Sequence, residues 1–183
     1  MKKRLFILGI LICIFLFFSI VVLSNDIKYD FRETTWGMNE TQVELAEKGK
    51  IEYKRDREGY TEYELTYKVK FGLYNYYCYY YFVEDKLYKC EYRDAETIFD
   101  SSGFIAITEY KRFKKALIEK YGKPFSQDER NAYVSYSSSW DTPTTKIKLY
   151  YGSLFNSLSI TYESKELKKW ADKILEEKTK IIF

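Results

Sequence analysis

The 183-residue chain contains no histidine, and that absence removes every mechanism requiring an imidazole, from the serine triad to His-ligated zinc. Proline and glycine are scarce, at 2 and 8 residues, which excludes collagenous and low-complexity chains. Three cysteines without histidine are too few ligands for a metal site. The sequence has no phosphate-cradling glycine loop, no Gly-x-Ser-x-Gly elbow and no calcium loop. We therefore assign no catalytic residue, no cofactor and no metal.

What is present is apolar and aromatic: 46% of residues are hydrophobic and 20% aromatic, enough for a core without staples. Lys2, Lys3 and Arg4 precede an unbroken apolar run from Leu5 to Leu23, roughly 28 Å of helix and close to the thickness of a bilayer core. Val22-Leu23-Ser24 offers small or branched residues for cleavage before Asn25. Residues 1–24 are therefore expected to be a signal peptide or an N-terminal membrane anchor. Both alternatives put residues 25–183 outside the cytoplasm, secreted or held on the outer side of the cytoplasmic membrane, with residues 5–23 as the sole membrane contact. A lipoprotein is disfavoured because Cys13 follows Ile12 rather than a small residue. Without the three leader cations, the 30 basic residues come level with the 27 acidic ones. A neutral domain has no field to draw it to nucleic acid. The basic cluster Lys111, Arg112, Lys114, Lys115, Lys120 and Lys123 is expected to be a solvated helix face.

The pattern after residue 25 predicts an α+β fold. Asn39 can cap a short helix to about Lys48, with Gln42 at the capping-box position, Val43 and Ala46 facing inward and Gly49 ending it. From Ile51 the period changes to two, predicting a hairpin around Glu58-Gly59 that returns from Tyr60 to Val69. A third strand runs from Tyr74 to Val83, and a turn at Glu84-Asp85 leads to a fourth from Lys86 to Tyr92. Arg93 to Gly103 is expected to be irregular. The spacing of Tyr110, Phe113, Leu117 and Tyr121 predicts an amphipathic helix closed by Gly122 and Pro124. Strands are expected at Ala132 to Ser137, Lys146 to Tyr151 and Leu158 to Tyr162, with Ser135 to Ser139 taken as strand end plus turn. Leu167, Trp170, Ile174 and Leu175 line a C-terminal helix. The whole is an antiparallel sheet packed against helices in one domain, 25–183. Within it, 36–95 and 104–163 form a degenerate tandem repeat of helix plus β-meander.

Three stretches carry a resemblance: Trp36-Gly37-Met38-Asn39 with Val43, the Phe82 to Leu87 turn, and Lys120 to Pro124. Across most of residues 31–162 the chain resembles the small exported bacterial proteins of the β-lactamase-inhibitor-protein-like fold. That resemblance implies helices paired with an antiparallel sheet, often in tandem, and a partner-binding role, as in secreted hydrolase inhibitors and the small lipoprotein of the outer-membrane barrel-assembly machinery. The residues themselves give the motif a packing role. Trp36 plugs the gap where helix meets sheet, Gly37 permits a turn that a side chain would obstruct, and Asn39 satisfies free helix N–H groups.

The densest run of tyrosine is Tyr74 to Phe82. Strand alternation sends Cys78, Tyr80 and Phe82 to one face and Tyr77, Tyr79 and Tyr81 to the other. The second set is either ordinary strand-forming aromatic or a low-entropy surface for another protein or an envelope component. Cys78 and Cys90 are expected on one face of the same hairpin, as a disulfide or as two buried thiols. Carboxylate candidates for catalysis are Glu62 with Glu64, and Asp94, Glu96 and Asp100. The function expected is a non-catalytic, extracytoplasmic binding or inhibitor-like module. The alternatives are a carboxylate-dependent hydrolase or glycan-active enzyme and a purely structural envelope protein.

Overall fold

In the computed structural model, which describes residues 30–49, 51–56, 62–95, 104–130, 135–153 and 157–182, Asn39 caps helix α1 (Glu40–Ala46) through a capping box. Its Oδ1 accepts from Gln42 N at 2.9 Å, and Gln42 Oε1 accepts from Asn39 N at 2.9 Å. The helix is shorter than the pattern predicts. At Glu47 the backbone turns extended, because the Glu47 side chain is drawn into the core rather than continuing a solvated helix face. Strands β1 (Ile51–Asp56), β2 (Glu62–Phe71), β3 (Tyr74–Val83) and β4 (Lys86–Asp94) follow as an antiparallel meander. The Glu84-Asp85 turn has positive φ at both residues, 45° and 59°, the backbone of a two-residue hairpin that matches strand twist. The turn proposed at Glu58-Gly59, the leader residues and the stretch 96–103 lie outside the described residues.

Helix α2 (Phe104–Tyr121) buries Ala106, Tyr110 and Leu117 and rests Phe113 and Tyr121 against the core. Gly122, at φ 80°, ends it by donating its N–H to the Ile118 carbonyl at 2.8 Å. A second meander follows: β5 (Ser126–Arg130), β6 (Ser135–Asp141), β7 (Thr145–Gly152) and β8 (Ser157–Ser164). The pattern predicts only three strands here, and two features account for the difference. Strand β5 carries no apolar residue and is held by its ladder with β6, as suits a charged edge strand. The serine run Ser135 to Ser139 is strand, not turn. Ser138 is fully buried beneath α2, where its hydroxyl meets the Tyr110 hydroxyl at 2.8 Å, so the helix residue fills space that a larger strand residue would occupy.

A helix plus four-stranded meander thus occurs twice. Antiparallel pairing of β4 with β8 joins the halves into one eight-stranded sheet, ordered β1-β2-β3-β4-β8-β7-β6-β5. Helices α1 and α2 cover one face, the inner face, where Leu65, Tyr76, Cys78, Tyr80, Phe82, Leu149, Tyr151 and Ile160 form the main core. The C-terminal helix α3 (Leu167–Ile182) packs on the opposite, outer face through Leu167, Trp170, Ala171, Ile174 and Leu175, over Tyr81, Val83 and Tyr88. The Trp36-Gly37-Met38 segment clamps both halves at one end. Gly37 N donates to Leu87 O, Leu87 N donates to Met38 O, and Trp36 Nε1 donates to Thr145 Oγ1 at 2.9 Å. The Asp30 carboxylate accepts from Trp36 N and from the Thr144 hydroxyl.

Tyrosine supplies much of the inner core, and several of its hydroxyls are answered inside, whereas the buried Tyr67 hydroxyl makes no hydrogen bond among the described residues. Tyr80 donates to Glu47, which also accepts from Arg32 Nε at 2.6 Å. Tyr76 donates to Glu109 at 3.0 Å, and Glu109 is paired with Arg112. Burial pushes these phenols above the usual tyrosine value, Tyr67 to about 12 and Tyr76, Tyr80 and Tyr110 upward likewise. The folded state therefore holds these protons more tightly than the unfolded chain, so their contribution is fully present below pH about 10 and is lost as pH rises beyond it. Alkaline titration should show tyrosinate absorbance and loss of far-ultraviolet circular dichroism rising together, cooperatively, above pH about 10. Full tyrosine ionisation around that pH with the circular dichroism retained would contradict this core.

Candidate functional site

The sheet register sets what the outer face presents. One row crosses all eight strands as Tyr53, Thr66, Tyr79, Glu91, Thr161, Lys148, Ser139 and Ser126. The next row runs Lys68, Tyr77, Arg93, Ser159, Tyr150, Ser137 and Asp128. Helix α3 contacts β4 and β8 and covers the end of the face that holds Val83 and Tyr88. The two rows lie toward the other end.

The alternation expected along β3 is present, but its three outer tyrosines do not share one environment. Tyr81 is buried at 6% exposure in the cluster under α3, which removes it from the open surface. The reason is that α3 lies on the face opposite α1 and α2 and needs an aromatic floor. Tyr79 lies at the margin of that cluster, and Tyr77 is half-buried beyond it. The three rings form a ladder with centroids 6.1 Å apart at each step. Tyr53 and Tyr150 are more open, at 52% and 37% exposure, and periodicity alone did not single them out. They become neighbours of the β3 tyrosines only through pairing between strands. Gly152 leaves room for Tyr150 to lie along its own strand, since a Cβ there would stand 2.7 Å from the Tyr150 hydroxyl.

Cations sit over several of these rings. Lys89 Nζ lies 4.1 Å from the Tyr81 centroid, Arg93 lies 5.0 Å from Tyr79, and Lys148 lies 5.5 Å from Tyr150. Glu91 links two of them, accepting from Arg93 at 2.8 Å while the Tyr81 hydroxyl donates to it at 3.4 Å. At the β1–β3 side, Glu52, Tyr53, Glu64, Thr66, Tyr77 and Tyr79 line an open depression of about 370 Å³. Thr66 is 4% exposed, and its hydroxyl is buried without a hydrogen-bond partner.

The carboxylate candidates are not gathered into one site. Glu64 belongs to this depression, whereas Asp94 lies at the end of β4 opposite Tyr76, where burial raises its carboxyl. Glu96 and Asp100 are outside the described residues, as is the Glu62 side chain. Among the described residues no cluster of three or more metal-ligating side chains occurs. No described helix is long and apolar enough to cross a membrane. Trp36, Gly37, Asn39, Gly122 and Pro124 lie where helices and strands join. No protein-family model, curated protein or solved structure matches this chain.

Cys78 faces Tyr92 and Cys90 faces Tyr80 across the β3–β4 ladder, so the two thiols are diagonal rather than opposed. Both are free and fully buried. Burial pushes Cys78 up to about 12 and Cys90 well upward, which leaves almost no thiolate at neutral pH. Residue-resolved labelling of the full chain with a thiol reagent should leave both unmodified when folded and modify both, without reductant, once unfolded. A requirement for reductant would reveal a bridge. The unequal burial of the tyrosine ladder gives a second expectation: Tyr81→Ala should cost about 3–5 kcal/mol in urea denaturation, and Tyr77→Ala about 1 kcal/mol or less.

Proposed function

We propose that this chain is a non-catalytic binding module that works outside the cytoplasm, engaging another protein through the partly exposed tyrosines of its outer sheet face. The observation that carries the reading is the placement of Tyr53, Tyr77, Tyr79 and Tyr150 on adjacent paired strands, with rings left partly open on a face that α3 only part covers. Strand-borne tyrosines lose little conformational freedom on contact and offer both an apolar ring and a hydroxyl, the combination enriched at recognition surfaces. Seven strand spacings make the face roughly 34 Å wide. Two rows at that width, each about 7 Å deep, cover roughly 460 Å², a little over half of the roughly 800 Å² that one partner contributes to a standard interface.

Charge supports a protein partner. The rows mix Lys68, Arg93 and Lys148 with Glu91 and Asp128, a pattern that selects a complementary partner surface and disfavours a uniformly charged polymer. The leader reading places this face on the outer side of a bacterial membrane, and the resemblance to exported partner-binding proteins agrees with that role.

A photo-cross-linking residue placed at Tyr77 or Tyr150 in the full chain, expressed in its own cells, tests the reading. The outer-face positions should yield a discrete protein adduct, and the same residue at Leu45 or Lys115, exposed on the helical side, should not. Adducts confined to the helical positions, or turnover by the purified chain in a hydrolase screen, would overturn it.

A further inference from the structure

Along the outer face, tyrosine rings and cations come in pairs supplied by the protein itself: Tyr81 with Lys89, Tyr79 with Arg93, Tyr150 with Lys148. The depression at the β1–β3 side departs from that pattern. Tyr53 and Tyr77 line it with no cation over either ring among the described side chains, and Glu52 and Glu64 line it with no ion-pair partner among those side chains. Thr66 joins them, 4% exposed, with a buried hydroxyl that makes no hydrogen bond. An unanswered buried hydroxyl is costly, at roughly 1–3 kcal/mol, and rare in native proteins. Here it coincides with two carboxylates and ring faces whose quadrupoles favour positive charge.

We propose that this depression receives a basic side chain, arginine or lysine, projecting from the protein that docks on the outer face. The inference rests on the protein-binding reading above and names the chemistry of the contact. Ammonium or guanidinium N–H groups would donate to Glu52, Glu64 and the Thr66 hydroxyl, with the alkyl stem lying on Tyr53 and Tyr77. An acidic side chain would meet two like charges. A neutral sugar would cover the rings but leave both carboxylates without a counter-charge. Backbone register pairs Arg55 with Glu64, so Arg55 is the residue to vary as a control.

The test uses the full chain in neutral detergent micelles, with tyrosine rings labelled for NMR. The probes are Nα-acetyl-arginine methylamide and Nα-acetyl-lysine methylamide, with the neutral citrulline analogue and methyl glucoside as comparators. At least one cationic probe should shift the Tyr53, Tyr77 and Tyr79 ring signals with millimolar affinity, at least tenfold tighter than citrulline. Binding should weaken with added salt. The Glu52→Gln/Glu64→Gln variant should lower cation binding at least tenfold, to the citrulline level, and Arg55→Ser should leave it equal or tighter. Equal binding of citrulline, preferential binding of methyl glucoside, indifference to the glutamine substitutions, loss of binding in Arg55→Ser, or no response to either cation would overturn the proposal. The two readings fail separately. A cross-linked partner at Tyr77 that survives the glutamine substitutions undiminished would keep the docking face and discard the basic side chain. Carboxylate-dependent cation binding without any cross-linked protein would keep the site and discard the docking.

Discussion

A tyrosine packed into a core brings a ring that must be buried and a hydroxyl that is costly to leave unanswered, and much of this structure follows from meeting both demands at once, Tyr67 excepted. The ring contributes as much area as phenylalanine, but an unanswered buried hydroxyl forfeits hydrogen bonds that it made with water. Two acids bring the answer from the helical layer: Glu47 from just beyond α1 and Glu109 from within α2, each neutralised by an arginine at the rim. These acids explain local features that apolar periodicity does not. Helix α1 stops at Ala46 because Glu47 turns inward, and α2 carries a charged residue on its buried face. Tyr110 uses Ser138 for the same purpose, which fixes a serine in the middle of a buried strand position.

The pairing of β4 with β8 turns two small meanders into one surface. Neither half alone has more than one strand to offer a neighbour on that side, but joined edge to edge they give an inner face wide enough for α1 and α2 and an outer face that one helix only part covers. Helix α3 therefore divides the outer face. Over Val83, Tyr88 and Tyr81 it makes a second, smaller core, and beyond it the rows of Tyr79 and Tyr77 carry paired rings and charges open to contact. The open region is partly exposed and mixed in charge, whereas the covered region is apolar and aromatic. The same strand, β3, contributes to both cores and to the open surface.

The class of fold was legible in the sequence because its cues are local. The Asn39 capping box, the apolar stripe through Tyr110 and Leu117, the two-residue turn at Glu84-Asp85 and the alternation in β3 all depend on spacing within about a dozen residues. Strand β5 was not legible, since Ser126 to Arg130 has no apolar alternation and exists only because β6 offers it a ladder. The candidate site was partly legible. Tyr77 and Tyr79 stand out in the tyrosine run, but Tyr53, Thr66 and Tyr150 join them only through register across strands far apart in the chain. Tyr81 shows the converse. Its alternation is correct, and its surroundings are decided by a helix that begins more than eighty residues later. Cys78 and Cys90 share a face as the alternation indicates, while a bulge between Tyr81 and Phe82 sets their diagonal offset.

The clamp at Asp30 and Trp36 also fixes where the chain enters the described domain. Only residues 24–29 separate the apolar run ending at Leu23 from the clamped Asp30, a contour of at most roughly 20 Å. Were that run to stay embedded, the sheet would ride close above the lipid with its Glu84-Asp85 end nearest the bilayer. Tyr77 lies six residues along β3 from Val83, roughly 20 Å farther out. In that anchored case the short span would keep the tyrosine rows within reach of proteins that stand on the same membrane.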